Sequence, residues 1–364
     1  MALLLPFYRH ENSLTPGTIA LFGIQYTSLT PTKRTQIATL GELLASSPSH
    51  VDQHLLPQRP GGTSPSCTTF IFVSYWLSDP EYRAWWTSGP VQRFWSALPD
   101  DAGVWREVLT VSSGRFLHGT SQTKRLGFGA VRGLEGLELE FPPPGEKYWG
   151  RYRTRLPEHH DDGFESPFAS SPDAESGTEK PTVTLTDPTG EARGVRRGRV
   201  LLPEGFDNMV WVREYQDLSG MGDAERELWD ERIGPHADSW IQYLDTKRNQ
   251  NGILSFRTTA AVGDAAIAGN EDSTIETAEK TFDQFGYYLD LAHFEKSGKS
   301  YLDHFKARSG FEKLYGPGGE LEGGKGDVHL MVELAVLKKE NVEAEYIGCV
   351  EGTGLMEYEQ VLGK

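Results

Sequence analysis

Cysteine is scarce in this chain of 364 residues, which contains only Cys67 and Cys349. Two cysteines cannot build a disulfide framework, and these two give no metal-ligand spacing. Basic charge is also in deficit, because 36 lysines and arginines face 52 aspartates and glutamates and leave a formal net charge of -16. This balance argues against a nucleic-acid partner and against docking on an anionic membrane. No apolar run approaches the roughly 18–20 residues that span a bilayer, so we predict a reduced, cytoplasmic protein.

Several signatures of common enzyme classes are missing as well. The sequence has no HExxH or CxxC pattern for zinc, no GxSxG elbow for a nucleophilic serine, and no GxGxxG or GxxxxGK[ST] loop for phosphates. The pair His159 and His160, followed by Asp161 and Asp162, could bind a metal ion. Because this tract lies in the most polar part of the chain, we favour the alternative that it is simply solvated.

The apolar residues that are present follow the periods of strands and helices. The predicted strands are Thr18–Tyr26, Thr68–Tyr75, Val104–Val111, Arg199–Leu202, Met209–Tyr215, Gly252–Thr259, Thr281–Asp290, Val328–Leu337 and Ala344–Val350. The predicted helices are Arg34–Ser46, Pro80–Leu98, Ala224–Asn249 and His293–Ala307.

Two distant segments share one plan. Phe70–Trp95 and Phe285–Phe305 each combine a strand rich in tyrosine and phenylalanine, a short turn, and an amphipathic helix with aromatic residues on one face. Such a repeat predicts two homologous halves fused within a single domain over 1–364, at about 17–157 and 199–358. The polar stretch 158–198 between them is predicted to be a surface loop or insertion. Strand–helix–strand units of this kind predict an α+β fold with antiparallel sheets and helices packed on their faces.

Among the ten histidines, His293 differs from the others in its surroundings. It follows an apolar strand and stands in the first turn of a predicted helix, beside Ala292 and Phe294. A neutral imidazole in an apolar setting can be an axial haem ligand, although the spacing alone favours a buried core histidine. His304 lies on the same face of the predicted helix but about 16 Å away, so the two cannot both bind one iron.

Six stretches, in order along the chain, resemble signature segments of the haem-containing aldoxime dehydratase family. They are FGIQY (Phe22–Tyr26), SYWLSDPEYRAWW (Ser74–Trp86), KYWGRYRTRLP (Lys147–Pro157), DNMVWVREYQD (Asp207–Asp217), LAHFEKSGKSYLDHF (Leu291–Phe305) and EYIGCVEGTGLM (Glu345–Met356). The resemblance implies two ferredoxin-like halves in a dimeric α/β-barrel-type fold. It also implies one haem b, ferrous when active, and a small-molecule substrate with an N–O bond.

Carried over by residue, the resemblance places the family's proximal haem ligand at His293 and an arginine of the distal pocket at Arg153. A family serine that binds the substrate hydroxyl falls on Glu214, and the distal histidine falls near Phe311, so it is missing. The late strand has Val332 before Glu333, where relatives often have a histidine. Glu214 is therefore the candidate proton donor, with Arg153 to orient the leaving oxygen. The alternative for Glu214 is a salt bridge with an arginine.

These residues predict a haem-dependent lyase that dehydrates an aldoxime or a related N-hydroxy compound, with nitrile formation as the family default. Two alternatives stay open at this level. Loss of the N–O bond could instead let a second nucleophile attack nitrogen, or the altered pocket could belong to a non-catalytic haem sensor. A haem-free ferredoxin-like binding protein is a further, weaker interpretation. The protein is expected to be a monomer or a homodimer.

Overall fold

The computed structural model describes residues 7–9, 17–57, 67–121, 129–133, 138–140, 152–168, 185, 193–262, 275, 277–278 and 280–358. The strands are β1 (Phe7–Arg9), β2 (Thr18–Tyr26), β3 (His50–Leu56), β4 (Thr68–Trp76), β5 (Val104–Thr110), β6 (Phe116–Thr120), β7 (Glu138–Glu140), β8 (Val195–Leu202), β9 (Met209–Asp217), β10 (Ile253–Ala261), β11 (Thr281–Tyr288), β12 (His329–Leu337) and β13 (Val342–Val350). The helices are α1 (Pro31–Leu44), α2 (Asp79–Trp86), α3 (Gly89–Ser96), α4 (Asp223–Arg232), α5 (Gly234–Thr246), α6 (Arg248–Asn251), α7 (Leu291–Ser300) and α8 (Leu302–Tyr315).

The strands repeat one antiparallel topology twice. In the first half the order across the sheet is β3-β4-β2-β5, and in the second half it is β10-β11-β9-β12. Each half therefore has the ferredoxin-like order, in which the first strand along the chain lies between the third and the fourth. The α+β class predicted from the sequence is confirmed. The proposed boundaries at 17–157 and 199–358 stay a prediction, and much of the stretch 158–198 lies outside the described residues.

One strand after each four-stranded unit pairs with the other unit. β6 comes after β5 in the chain and pairs with β12, and β13 comes after β12 and pairs with β5. Apolar side chains from both sheets share the interior, including Ile19, Trp105, Trp211, Phe285 and Tyr346. Helices cover the outer faces, so each sheet has an inner face toward the other half and an outer face toward its own helices.

A buried carboxylate on β5 ties the two halves together. Glu107 is fully buried and accepts hydrogen bonds from Arg257 on β10, with N–O distances of 2.9 and 2.5 Å. It also accepts from the hydroxyls of Tyr287 and Tyr346, at 3.0 and 2.7 Å. Four donors satisfy both carboxylate oxygens, which is the condition under which a buried charge can be kept.

We expect Glu107→Ala to lower the free energy of unfolding by about 3–5 kcal/mol, because it leaves the Arg257 guanidinium buried without its carboxylate. Denaturant unfolding followed by circular dichroism measures the change. The matched control is Glu340→Ala, which removes an exposed glutamate and should change stability by less than about 0.5 kcal/mol. Equal effects of the two variants would contradict a structural role for Glu107.

The long helices predicted at Pro80–Leu98, Ala224–Asn249 and His293–Ala307 are wrong as single elements. Each is divided, with breaks at Thr87–Ser88, at Ile233 and Lys247, and at Tyr301. Tyr301 has extended backbone angles (φ -119°, ψ 126°) and stacks on Tyr243 of α5 with ring centroids 4.1 Å apart. A tertiary contact thus competes with helix continuation, which amphipathic periodicity cannot reveal. No helix in the described part of the chain is long and apolar enough to cross a membrane.

Candidate functional site

A large cavity lies in the second half, between the outer face of its sheet and its helices. β9, β11 and β12 form one wall, and α4, α5, α7 and α8 form the other. Its free space is about 1160 Å³ when the open solvent at its mouth is included. Most of the lining is apolar or aromatic. The side chains in it that carry charge or titrate near neutrality are Glu214, Glu295, His304 and Arg308.

The matching space in the first half is filled by aromatic side chains. Phe22 on β2 contacts Trp85 and Trp95 edge to face, with ring centroids 5.5 and 6.3 Å apart, and Trp86 packs on Trp95 at 5.2 Å. Aromatic residues bury about 150–250 Å² each, so a cluster of this size closes the gap between helix and sheet. The tryptophan-rich segment of the sequence therefore fills, in the first half, the space that corresponds to the cavity of the second half.

His304 is the histidine that lines the cavity. The chain breaks at Tyr301 between α7 and α8. The last carbonyl groups of α7 therefore have no partner within their own helix. The Nδ1–H of His304 donates a hydrogen bond to one of them, the carbonyl of Gly298. This bond fixes the tautomer and leaves the Nε2 lone pair for the cavity. Trp240 of α5 packs on the ring at 4.6 Å between centroids.

Burial lowers the pKa of the His304 imidazole, and the charge of Arg308 lowers it further, against the opposing effect of the Gly298 carbonyl. The ring is therefore neutral at physiological pH. A neutral imidazole with its second nitrogen bonded to a backbone carbonyl is the form that binds metal ions.

His293, the ligand expected from the sequence, does not line this cavity. It occupies the third position of α7, and its backbone N–H donates to the side chain of the N-cap residue Asp290 at 2.8 Å. Its Nδ1 also lies 2.9 Å from the Asp290 carboxylate. The ring rests against Gly252, where a Cβ atom would come within 2.5 Å of it. Glu81 holds the same position of α2 in the first half, behind the N-cap Ser78. Asp290 thus caps helix α7, and His293 is the residue whose backbone N–H the cap accepts from.

Glu214 on β9 points its carboxyl into the cavity, and no hydrogen bond or ion pair to it occurs among the described residues. Burial raises the pKa of Glu214 from 4.5 to about 7. Because side chains alternate along a strand, the neighbouring Arg213 faces the interior and pairs with Asp52 and Asp283 at 2.6 and 2.5 Å. The alternative of a salt bridge between Glu214 and an arginine is therefore not seen.

Val332 on β12 is the direct cross-strand partner of Glu214. Both residues line the cavity, and paired residues on one sheet face have Cβ atoms about 4.5–5.5 Å apart. Phe311 of α8, where the resemblance placed the missing distal histidine, lines the opposite wall. His304, on the helix wall, is the sole histidine among the described lining residues. On the sheet wall, the group that can exchange a proton near neutral pH is the carboxyl of Glu214.

Arg153 lies beside the cavity rather than in its wall. One Nη donates to the carbonyls of Gly163 and, at 3.3 Å, Phe164. The other lies 3.6 Å from the carboxylate of Glu295, which does line the cavity. Arg153 and Glu214 therefore border the same cavity but are not in contact in this structure. The residues 147–151 of the predicted signature stretch lie outside the described part of the chain.

The polar tract at His159 and His160 shows no metal site. Within the described ranges, no group of three or more histidine, cysteine, aspartate or glutamate side chains could hold a metal ion. Asp162 instead forms an ion pair with Arg115, as does Glu158. The tract packs against the sheet through these contacts.

Comparison with known proteins agrees with these features. The family model of the haem-containing dehydratases matches residues 20–355. An aliphatic aldoxime dehydratase of Rhodococcus globerulus is 26% identical over 291 residues, covering 79% of this chain and 71% of the relative. The corresponding enzyme of Rhodococcus erythropolis is 25% identical over the same length.

Two solved structures share the fold. The crystal structure of an aldoxime dehydratase in complex with butyraldoxime superposes with a TM-score of 0.75 at 20% identity, covering 97% of this chain and 89% of that one. A second aldoxime dehydratase structure gives a TM-score of 0.73 at 17% identity, covering 97% and 91%. At such identities the likeness concerns the fold alone.

Proposed function

The chain belongs to the haem-containing dehydratase family, which makes it a haem-dependent lyase, and we propose that it removes water from an aldoxime in the cavity of its second half. Membership confirms the haem cofactor expected from the sequence. The observation that supports the choice of site is the pair of groups facing each other across the cavity. A neutral histidine stands on the helix wall, and a carboxyl with a pKa near 7 stands on the sheet wall.

The residues of the cavity fit a haem. We propose that His304, rather than His293, would hold the haem iron, because His304 is the histidine among the described lining residues and its Nδ1 is already bonded to the Gly298 carbonyl. The apolar walls suit a flat hydrophobic macrocycle, since ligand pockets are lined mostly by apolar and aromatic side chains. When bound, the haem iron supplies the centre that takes the substrate nitrogen. We infer haem b, because the chain's two cysteines are both buried away from this wall and offer no covalent attachment.

Glu214 is proposed to move the protons. Dehydration of an aldoxime, R–CH=N–OH, to a nitrile and water breaks the N–O bond and the C–H bond without any net oxidation. The protonated carboxyl of Glu214 donates its proton to the leaving hydroxyl oxygen, and the carboxylate then accepts the proton lost from carbon. An acid with a pKa of about 7 is suited to both steps at neutral pH. In this proposal Glu214 is the general acid that the missing distal histidine would otherwise supply.

The wall around Glu214 supports a substrate with an apolar side chain. Leu244, Phe294 and Val332 line the space with side chains that cannot form hydrogen bonds to a polar group. Arg153 stays a candidate for orienting the leaving oxygen, and it would have to exchange Glu295 for the substrate to do so. We propose a small molecule with an N–O bond as the partner.

Turnover by the reconstituted protein tests this function. Anaerobic ferrous protein is mixed with a panel of aliphatic and arylaliphatic aldoximes, and nitriles are quantified by gas chromatography. Nitrile formation at a rate above that of free haem supports the proposal. A product with a new bond to nitrogen in the presence of an added amine would favour the alternative lyase. Haem binding without any turnover would favour a sensor.

A further inference from the structure

The segment of residues 152–168, which we call the strap, borders the cavity of the second half. Tyr152 is among the lining residues, and its ring contacts Phe294 of α7 with centroids 5.2 Å apart. Arg153, the next residue, lies 3.6 Å from the carboxylate of the lining residue Glu295. The start of the strap therefore belongs to the cavity wall beside α7.

One buried arginine connects the strap to the rest of the protein. Arg115, directly before β6, has a side chain that is 3% exposed, and it forms ion pairs with Glu158 and Asp162 of the strap. Its guanidinium also lies 5.0 Å from the centre of the Phe164 ring. A further hydrogen bond, of 2.9 Å, runs to the side-chain oxygen of Asn208, just before β9. The five N–H donors of a guanidinium, fixed in a planar fork, allow one arginine to join several acceptors in this way.

The turn at Phe164 has an unfavourable backbone conformation. Its φ of 51° lies in the left-handed region that bulky side chains seldom adopt. Such a residue persists only where the surrounding contacts hold it. Here the ring lies against Arg115, and the backbone N–H donates to Asp162 at 2.8 Å. Arg153 donates to the carbonyl groups of Gly163 and Phe164, so the turn is bonded to the residue that borders the cavity.

We propose that Arg115 is a positioning residue, which holds the strap and thereby keeps Tyr152 and Arg153 at the cavity for the substrate. The inference rests on the proposed function, since it takes the aldoxime to bind in this cavity. Arg115 does not line the cavity, so its effect on the substrate is indirect. Its partners Glu158 and Asp162 are 32% and 38% exposed, so solvent weakens each ion pair. The strap therefore depends on the contacts of Arg115 together, and loss of the arginine should release it.

Arg115→Met tests this role, because methionine keeps much of the length of the side chain but removes its charge and its donors. In the haem-reconstituted protein we expect KM for the aldoxime to rise roughly 10-fold, the usual effect of losing one charge-assisted hydrogen bond. The value of kcat should stay within about threefold. A merely structural role would reduce the folded fraction instead, which lowers kcat and leaves KM unchanged.

Limited digestion with trypsin reports on the strap itself. We expect cleavage after Arg153 and Arg155, followed by mass spectrometry, to be roughly 10-fold faster in Arg115→Met, since cleavage follows the population of the locally open state. The matched control is Arg106→Met on β5. It removes an arginine whose side chain is 10% exposed and pairs with two glutamates of β13. Because these partners are not part of the strap, the control should leave both KM and this cleavage unchanged.

A second variant covers the case in which Arg115→Met does not fold. Glu158→Gln combined with Asp162→Asn removes the same ion pairs from the side of the strap and should reproduce both effects. Unchanged KM and cleavage in these variants, or equal changes in Arg106→Met, would overturn the inference while the proposed function stands. If the unmodified chain converts no aldoxime, the proposed function fails, and the digestion still decides whether Arg115 holds the strap at the cavity.

Discussion

Replacing His304 with alanine is expected to abolish the Soret band of the reconstituted protein and, with it, all aldoxime turnover. The reason is that the ring places the one histidine nitrogen available in the cavity, fixed in its tautomer by the carbonyl of Gly298. Loss of residues that merely support a metal ligand costs roughly 10- to 100-fold in metal affinity, and loss of the ligand itself should exceed that. Titration with haem, read at the Soret maximum, measures the change.

The matched control is His293→Ala, which removes the histidine that the sequence favoured. It deletes a ring–carboxylate hydrogen bond worth about 1–2 kcal/mol, while the backbone N–H still donates to Asp290. We therefore expect a normal Soret band and a slightly lower free energy of unfolding. The reverse result, haem lost in His293→Ala and kept in His304→Ala, would show that the sequence-based assignment was right and ours wrong.

Replacing Glu214 with glutamine is expected to lower kcat roughly 10²- to 10⁴-fold, the usual contribution of a general acid. Haem binding should be unchanged, because the carboxyl stands on the sheet wall, opposite the helix that holds His304. Steady-state rates with the best aldoxime of the panel give the loss. Glu295→Gln is the control. It alters a second carboxylate that lines the cavity, on helix α7, and this carboxylate is already paired with Arg153. Equal losses in the two variants would argue against a specific proton-transfer role for Glu214.

The rate should also depend on pH through Glu214. Because burial raises its pKa to about 7, the carboxyl is protonated below that pH and ionised above it. Tyr288, which interacts electrostatically with Glu214, is a neutral phenol at neutral pH because burial raises its pKa. We expect kcat to fall as pH rises through about 7 and the fall to be absent from the residual activity of Glu214→Gln. A descending limb that persists in the variant would assign the titration to another group.

The free energy of unfolding should also depend on pH through Glu214. The pKa of Glu214 is 4.5 when unfolded and about 7 when folded, so the folded state binds the proton more tightly. The resulting stability is present below pH 4.5 and is lost as pH rises through 7. Glu214→Gln should therefore raise the free energy of unfolding of the haem-free chain by about 2–3 kcal/mol at pH 8, and by little at pH 5. Denaturant unfolding at the two pH values checks this difference.

The two histidines His293 and His304 differ in a way that only the tertiary structure shows: His304 lines the cavity, while the haem-ligand role of His293 stays a prediction. Both were placed on one predicted helix, and the apolar setting of His293 made it the better candidate. The break at Tyr301 separates them, and it depends on stacking against Tyr243 and on hydrogen bonding of its hydroxyl with Ser239. Both partners are distant in sequence, so helical periodicity carried no sign of the break. One local signal was available in the sequence. His293 and Glu81 each stand three residues after a helix N-cap residue, and the backbone N–H of each donates to that cap.

The pairing of Glu214 with Val332 is equally non-local. The sequence identified the unusual residue at each position, but only the register of β9 with β12 shows that they are neighbours facing one cavity. The same register sends Arg213 to the other face and removes it as a partner for the carboxyl. The elevated pKa of Glu214 therefore follows from strand alternation together with burial, and from neither residue type alone.

By itself, the sequence determined the α+β class, the two halves and the haem-containing family, because strand periods and ordered motifs are local properties of the chain. It also identified Glu214 as the candidate proton donor. The tertiary structure decided where the cavity of the second half lies, and that the matching space in the first half closes on aromatic side chains such as Trp85 and Trp95. It likewise decided which histidine faces that cavity. Both outcomes arise from packing between distant segments, which no short stretch of sequence encodes.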